Sequence, residues 1–377
     1  MMRASGMTRR ELLLLGLGGV LSGCATVRPQ AGVPPKRLIE FGWDEPDTAF
    51  MRRHIAQMER SPFDGCVFHV NYATPGGPAG PFLSEAWGTR AFSAADLGPA
   101  LADLPATPFQ RFTDNFLRFN TVPGDVDWFD DFSAVLINAR LAAQVARQGK
   151  AKGILFDVEQ YRAPLFTYGS QRGTPATPWD TYAAQVRRRG REVMEAFQQG
   201  YPDLTVFLTF GYSGPWLESG GGTRPLPECE YGLLVPFLDG MVDAARGSTR
   251  LVDGYEPAYF HKGDTTKFAD AYRTITEGLL PIVADPAAYR RHLSVGFGLW
   301  MDYYVEARVW DLADPRRNFY TPETFEASVR AALEAADEYV WIYTETPRWW
   351  SEDGRPVDLP AGYIEALRRA RQGLAPE

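Results

Sequence analysis

From residue 37 onward, short apolar runs alternate with segments in which apolar residues recur every three to four positions. The first rhythm belongs to strands, whose side chains alternate faces, and the second to amphipathic helices. The pattern predicts strands at 37–44, 64–72, 112–121, 152–161, 204–213, 249–257, 291–302 and 338–346. Helices are predicted between them at 48–60, 128–148, 178–199, 231–245, 267–283 and 322–336, with 362–371 closing the chain. The runs Val67/Phe68/Val70 and Val206/Phe207/Leu208 are apolar on both faces, as in a parallel sheet covered by helices. Within the last strand, Tyr339, Trp341, Tyr343 and Glu345 share one face and Val340 and Ile342 the other.

Eight such strand–helix units without a composition break predict one (β/α)8 TIM barrel over 37–377. The link between the second and third strands is long and rich in Pro and Gly, so its helix is the least defined. A doubly wound open sheet is the runner-up. The turn Phe41-Gly-Trp-Asp-Glu-Pro46 lacks the G-x-G-x-x-G that such a sheet would need to bind a nucleotide.

Composition narrows the chemistry. The 377 residues are 45% hydrophobic and 23% charged with a net charge of −8, and no basic run lies outside the N-terminus. There is no electrostatic footprint for nucleic acid. Aromatics make up 13%, with ten Trp, many near predicted loops, where indole faces suit the C–H faces of sugar rings.

The first 23 residues read as an export signal. Thr8-Arg-Arg-Glu-Leu-Leu-Leu14 holds a twin-arginine pair, and the apolar stretch 12–21 is shorter than the ~20 residues that span a bilayer. Leu21-Ser-Gly-Cys24 resembles a bacterial lipobox, which makes Cys24 the lipidated mature N-terminus and 24–36, with Pro29, Pro34 and Pro35, a tether. The expectation is an exported lipoprotein held at a membrane and facing the periplasm or the cell surface. Cys66 and Cys229 remain, free or paired.

In a barrel the working side chains come from the C-terminal ends of the strands. Here those ends supply Asp44 with Trp43, His69 and Asn71, Asn120, Asp157 and Glu159 with Tyr161, Tyr212, Tyr255 and Glu256, Trp300 and Asp302, and Tyr343 and Glu345 with Trp349 beyond. The loops 74–88, 163–178, 213–227 and 303–320 on that side are long enough to build a substrate cleft. Four His without metal-ligand spacing give no metal site, and no cofactor motif is present. No G-x-S-x-G elbow presents a nucleophile. Carboxylates remain, and a carboxylate-rich barrel with an aromatic rim fits cleavage of glycosidic bonds. Asp157 and Glu159 are two apart on one strand, so both point the same way.

The strand ending Lys152-Gly-Ile-Leu-Phe-Asp-Val-Glu159 resembles the fourth-strand motif D-G-x-D-x-D-x-E of chitinase-type (β/α)8 glycoside hydrolases. Gly153, Asp157 and Glu159 match, whereas Lys152 and Leu155 depart from its first two acids. The resemblance implies Glu159 as general acid and Asp157 as its partner, with Tyr255 and Trp341 standing for that family's strand-six Tyr and strand-eight Trp. It reaches the broad group of barrel glycoside hydrolases and no single family. A two-carboxylate mechanism would instead draw its second acid from Glu345, then Asp302 or Glu256. The expected partner is an oligo- or polysaccharide. A glycan-binding barrel without activity, or a polysaccharide lyase, are the alternatives.

Overall fold

A computed structural model describes residues 35–372, apart from 75, 175 and 305–309. The predicted signal and Cys24 lie outside the described residues. The strands are β1 (Arg37–Gly42), β2 (Gly65–Phe68), β3 (Asn71–Ala73), β4 (Ala79–Pro81), β5 (Phe116–Asn120), β6 (Gly153–Asp157), β7 (Thr205–Leu208), β8 (Arg250–Asp253), β9 (Leu293–Val295), β10 (Phe297–Trp300) and β11 (Tyr339–Thr344). Nine of them form one parallel sheet in the order β10-β11-β1-β2-β5-β6-β7-β8-β9, and β3 pairs antiparallel with β4.

The sheet closes on itself. β9 and β10 are separated by Gly296 alone and are together the seventh barrel strand. Gly296 donates its N–H to Asp253 O at 2.8 Å, and a Cβ there would sit 3.0 Å from Tyr339 O and from Val252 Cγ1. The (β/α)8 barrel is therefore the observed architecture, with β1, β2, β5, β6, β7, β8, β9/β10 and β11 as its eight staves.

Alternation along each strand divides two cores. Ile39, Phe41, Val67, Phe116, Leu155, Phe207, Val252, Tyr339, Trp341 and Tyr343 fill the lumen, while Leu38, Leu117, Ile154, Leu208, Val340 and Ile342 join the larger core under the helices. Both faces are apolar because both are covered.

The helices are α1 (Thr48–Met58), α2 (Gly98–Ala106), α3 (Ser133–Gln148), α4 (Trp179–Gly200), α5 (Ser213–Glu218), α6 (Leu234–Ala244), α7 (Thr265–Arg273), α8 (Pro286–His292), α9 (Pro322–Ala335) and α10 (Ala361–Arg371). Side-chain caps start several of them: Asp47 accepts from Phe50 N at 2.7 Å, and Thr321 caps α9 ahead of Pro322.

Several boundaries differ from the sequence expectation. The second predicted strand stops at Phe68, and the long link after it holds the β3–β4 hairpin and α2. The helix predicted at 267–283 ends at Arg273 and passes into a π turn, Thr274–Gly278, where β-branched residues, Gly278 and Pro281 weaken the helix. α3 starts at Ser133 because Asp131 accepts from the Ser133 N–H, and α5 interrupts what reads as the tail of the fifth strand. Cys66 and Cys229 are both free and buried.

Candidate active site

Inward alternation carries Phe116, Arg118 and Asn120 along β5 toward the barrel mouth. Arg118 leans over the Phe41 ring at 5.0 Å and donates to Glu45 Oε2 at 2.8 Å and Asp157 Oδ2 at 2.7 Å. His69 Nδ1 lies 3.2 Å from Glu45 Oε1, and Tyr161 OH donates to Asp157 Oδ2 at 3.0 Å. A chain of polar contacts, His69–Glu45–Arg118–Asp157, thus crosses the mouth from the first strands to the fourth. Burial alone would raise the Glu45 carboxyl, but the Arg118 guanidinium and His69 hold it below its ordinary value. Burial opposes the charge on Arg118, and Glu45 and Asp157 more than restore it, keeping the guanidinium firmly protonated.

Asp157 is fully buried and spends its second oxygen on the backbone: Oδ1 accepts from Glu159 N at 3.1 Å. It locks the turn that presents Glu159. On the far side Asp302 does the same for Glu345. Its carboxylate accepts from Trp300 Nε1 at 3.1 Å, Glu345 N at 3.1 Å and Thr346 N at 2.7 Å. Burial raises Asp302, and those donors pull it back. Tyr343 OH donates to Glu345 Oε1 at 3.2 Å and accepts from Trp43 Nε1 at 2.9 Å. Glu159 follows the fourth stave and Glu345 the eighth, four positions apart around the ring in either direction.

Glu256 follows β8 and is buried, accepting from Tyr259 OH at 3.0 Å. Before it, Tyr255 holds a left-handed backbone, φ 35°, fixed by Asp253 Oδ1 accepting from Tyr255 N at 3.2 Å. Strain of this kind clusters at functional sites. The Tyr231 hydroxyl accepts from Gln160 N at 3.2 Å and is pushed well above its ordinary value by burial, then by Glu159, Glu230 and Glu256. Glu159 and Glu256 therefore bear on the same hydroxyl.

Three aromatic side chains stand out around the mouth: Trp43 is 66% exposed, Tyr161 50% and Tyr304 44%. Trp300 is buried beneath Tyr304, ring centroids 5.8 Å apart.

Other expected residues are elsewhere. Tyr212 is buried on the helix side, its OH donating to Asp239 Oδ1 at 3.0 Å and its ring against Tyr289, because the strand ends at Leu208. Trp349 is buried with its ring edge-on to Phe63 at 4.7 Å, and Trp349 N donates to Asp44 Oδ2 at 2.6 Å. Tyr255 packs on Phe297 and His261, away from the lumen. Trp341 does face the lumen but is wholly buried there, donating to Gly254 O at 2.8 Å. Asn71 donates to Asp47, the cap of α1, at 3.0 Å. Asp44 turns away from the mouth toward the Glu40 carboxyl.

Sequence reasoning passed over Arg118, Glu45 and Tyr304. The signal for Arg118 was an arginine sharing a strand face with Phe116 and Asn120. A surface hollow of about 440 Å³, lined by Glu195, Gln198, Asp203 and Arg246, opens on the opposite face and brings in none of these groups.

No family model matches the chain, and no curated protein matches it in sequence. Among solved structures it is similar to active domain 2 of a thermostable chitinase from Pyrococcus furiosus, at 11% identity and TM-score 0.48, covering 93% of this chain and 99% of that one. It is also similar to a GH5-4 broad specificity endoglucanase from Bacteroides salanitronis, at 11% identity and TM-score 0.43, covering 84% and 95%. A third is a psychrophilic family 10 endo-β-1,4-xylanase, at 10% identity and TM-score 0.44, covering 90% and 97%.

Proposed function

We propose that this protein is an exported, lipid-anchored glycoside hydrolase in which Glu159 and Glu345 are the catalytic pair. The observation that carries the reading is the division of labour among the acids at the mouth. Asp157 and Asp302 are buried and committed to backbone N–H groups, and each of them fixes the turn that presents a glutamate. The two glutamates so presented stand on opposite staves, and exposed Trp43, Tyr161 and Tyr304 offer faces for sugar rings.

Glu159 is assigned the proton donor. It protonates the glycosidic oxygen as that oxygen's bond to the anomeric carbon breaks. Glu345, held by the Tyr343 hydroxyl, takes a proton from the attacking water, or attacks the anomeric carbon itself to give a glycosyl-enzyme that water, deprotonated by Glu159, then hydrolyses. A carboxyl separation of ~6.5–9.5 Å belongs to the first course and ~5–5.5 Å to the second. Asp157 is assigned a positioning role. Held by Arg118 and Tyr161, it is a poor candidate to orient a substrate group as in the substrate-assisted mechanism.

Reducing-end release from a panel of polysaccharides tests the proposal. Glu159→Gln and Glu345→Gln should each lose at least about 10²-fold in kcat while retaining binding. Wild-type turnover in either variant removes that residue from the mechanism.

A further inference from the structure

Three buried polar atoms around the end of β6 have no hydrogen-bond partner among the described residues: Asn120 Oδ1, Thr209 Oγ1 and Arg118 Nε. Their positions are related. Asn120 is in register with Asp157, and Thr209 is one step beyond the Phe156–Leu208 pair, so Asn120, Asp157 and Thr209 form one row across three adjacent staves. All three point inward. Phe116 and Arg118 set the inward face of β5, and Phe207 fills the lumen while Val206 and Leu208 face the helices.

No hydrogen bond among the described residues uses the Asn120 side-chain carbonyl or the Thr209 hydroxyl. Thr121 N donates to Asp157 O at 3.2 Å and Thr121 Oγ1 to Glu159 O at 3.3 Å, so the backbone around Asn120 is pinned without its side chain. Asn120 is 3% exposed and Thr209 1%, and orphaned polar atoms at that depth cost stability that two apolar residues of the same shape would not. They lie beside the turn that presents Glu159.

We infer that Asn120 and Thr209 form the hydrogen-bonding floor of a subsite for an uncharged sugar, with Asn120 accepting from one hydroxyl and the Thr209 hydroxyl pairing with another. The inference rests on the glycosidase reading and adds a substrate class to it. The row disfavours a uronate. Asp157 is the middle member, and the nearby guanidinium of Arg118 is already shared between Glu45 and Asp157. A sugar carboxylate there would be a third carboxylate around one guanidinium, so the row favours an uncharged sugar.

The test uses near-isosteric apolar replacements, Asn120→Leu and Thr209→Val, singly and together, in the full barrel. Activity is measured on a neutral glucan or mannan, on a polyuronate and on a polyaminosugar. Each single variant should lose about five- to tenfold in kcat/KM on the neutral polymer, mostly through KM, while melting at or above the wild-type temperature. The polyuronate should be cut at least about 10²-fold more slowly than the neutral polymer. Lower melting temperatures with unchanged kinetics would mean that the row holds structural water, and would overturn the inference while leaving the catalytic pair intact. Faster cleavage of the polyuronate would overturn the substrate class alone. Failure of the wild type to cut or bind any of the polymers would bring down the glycosidase reading and this inference with it.

Discussion

At the scale of single residues, the most consequential group outside the mouth is the pair Glu40 and Asp44. Glu40 is on the helix-facing side of β1 and is wholly buried, and neither of its oxygens, nor Asp44 Oδ1, has a donor among the described residues. Two carboxyls in contact in such a place cannot both be ionised, so they share a proton. Burial raises Glu40 well above its ordinary 4.5, Asp44 and Glu45 raise it further, and Arg348 pulls the other way. The direction of linkage follows. Above about pH 4.5 the unfolded chain releases a proton that the folded pair keeps, so stability falls as pH rises toward the folded value, by at most about 1.4 kcal/mol per pH unit. Glu40→Gln can donate to Asp44 without a titrating proton, and its melting temperature should fall less steeply than the wild type's between pH 5 and 9. Asp239, raised to about 6 by burial, adds a slope of the same sign that is common to both proteins. Parallel curves for the two would show that the pair does not titrate as argued.

At the scale of elements, the barrel was legible because parallel staves repeat a period that needs no long-range information, whereas the site was only half legible. That Glu159, Glu345, Trp43 and Tyr161 follow strand ends could be read from the pattern. Tyr212 was misplaced because the chain leaves the strand after Leu208 and is helical by residue 212, whereas Thr209, one step past the strand, keeps its alternation. Arg118 was hidden because a charge inside an apolar strand has meaning only once its partners are known, and Glu45 because it lies in the loop beyond β1. Helix contacts were equally hidden. α4 meets α6 through Gly190 and Gly240, where a Cβ would come 1.9 Å from Phe237 O and 1.9 Å from Arg187 O respectively. Helix propensity alone says Gly190→Ala should gain about 1 kcal/mol. Backbone oxygens cannot yield that far, so sterics should win and the variant should lose about 1–3 kcal/mol in a denaturant melt. Gly98→Ala, at the first position of α2 with nothing within 4 Å of the new carbon, should stay within about 0.5 kcal/mol of the wild type. A stabilised Gly190→Ala would mean that the two helices are able to move apart.

At the scale of the whole molecule, chain direction relates the proposed anchor to the proposed site. Every stave ends at the mouth, so β1 begins at the opposite face, and its first residue, Arg37, is where the proposed tether would join the barrel. A tether of residues 24–36 reaches at most about 45 Å from the lipid. An anchor on the face opposite the mouth favours polymer arriving from the aqueous side over glycolipid in the supporting membrane. Net charge adds to this: −8 on the whole chain discourages lying flat on an anionic leaflet. Cys24→Ser separates anchoring from catalysis because it alters neither the barrel nor any group at the mouth. In a producing cell it should move the protein from the membrane pellet to the soluble fraction, with kcat/KM on a soluble glycan unchanged. A Cys24→Ser protein that still pellets with membranes would locate the attachment elsewhere in the chain. Loss of activity with release would instead mean that the membrane brings the substrate, which this placement of the mouth argues against.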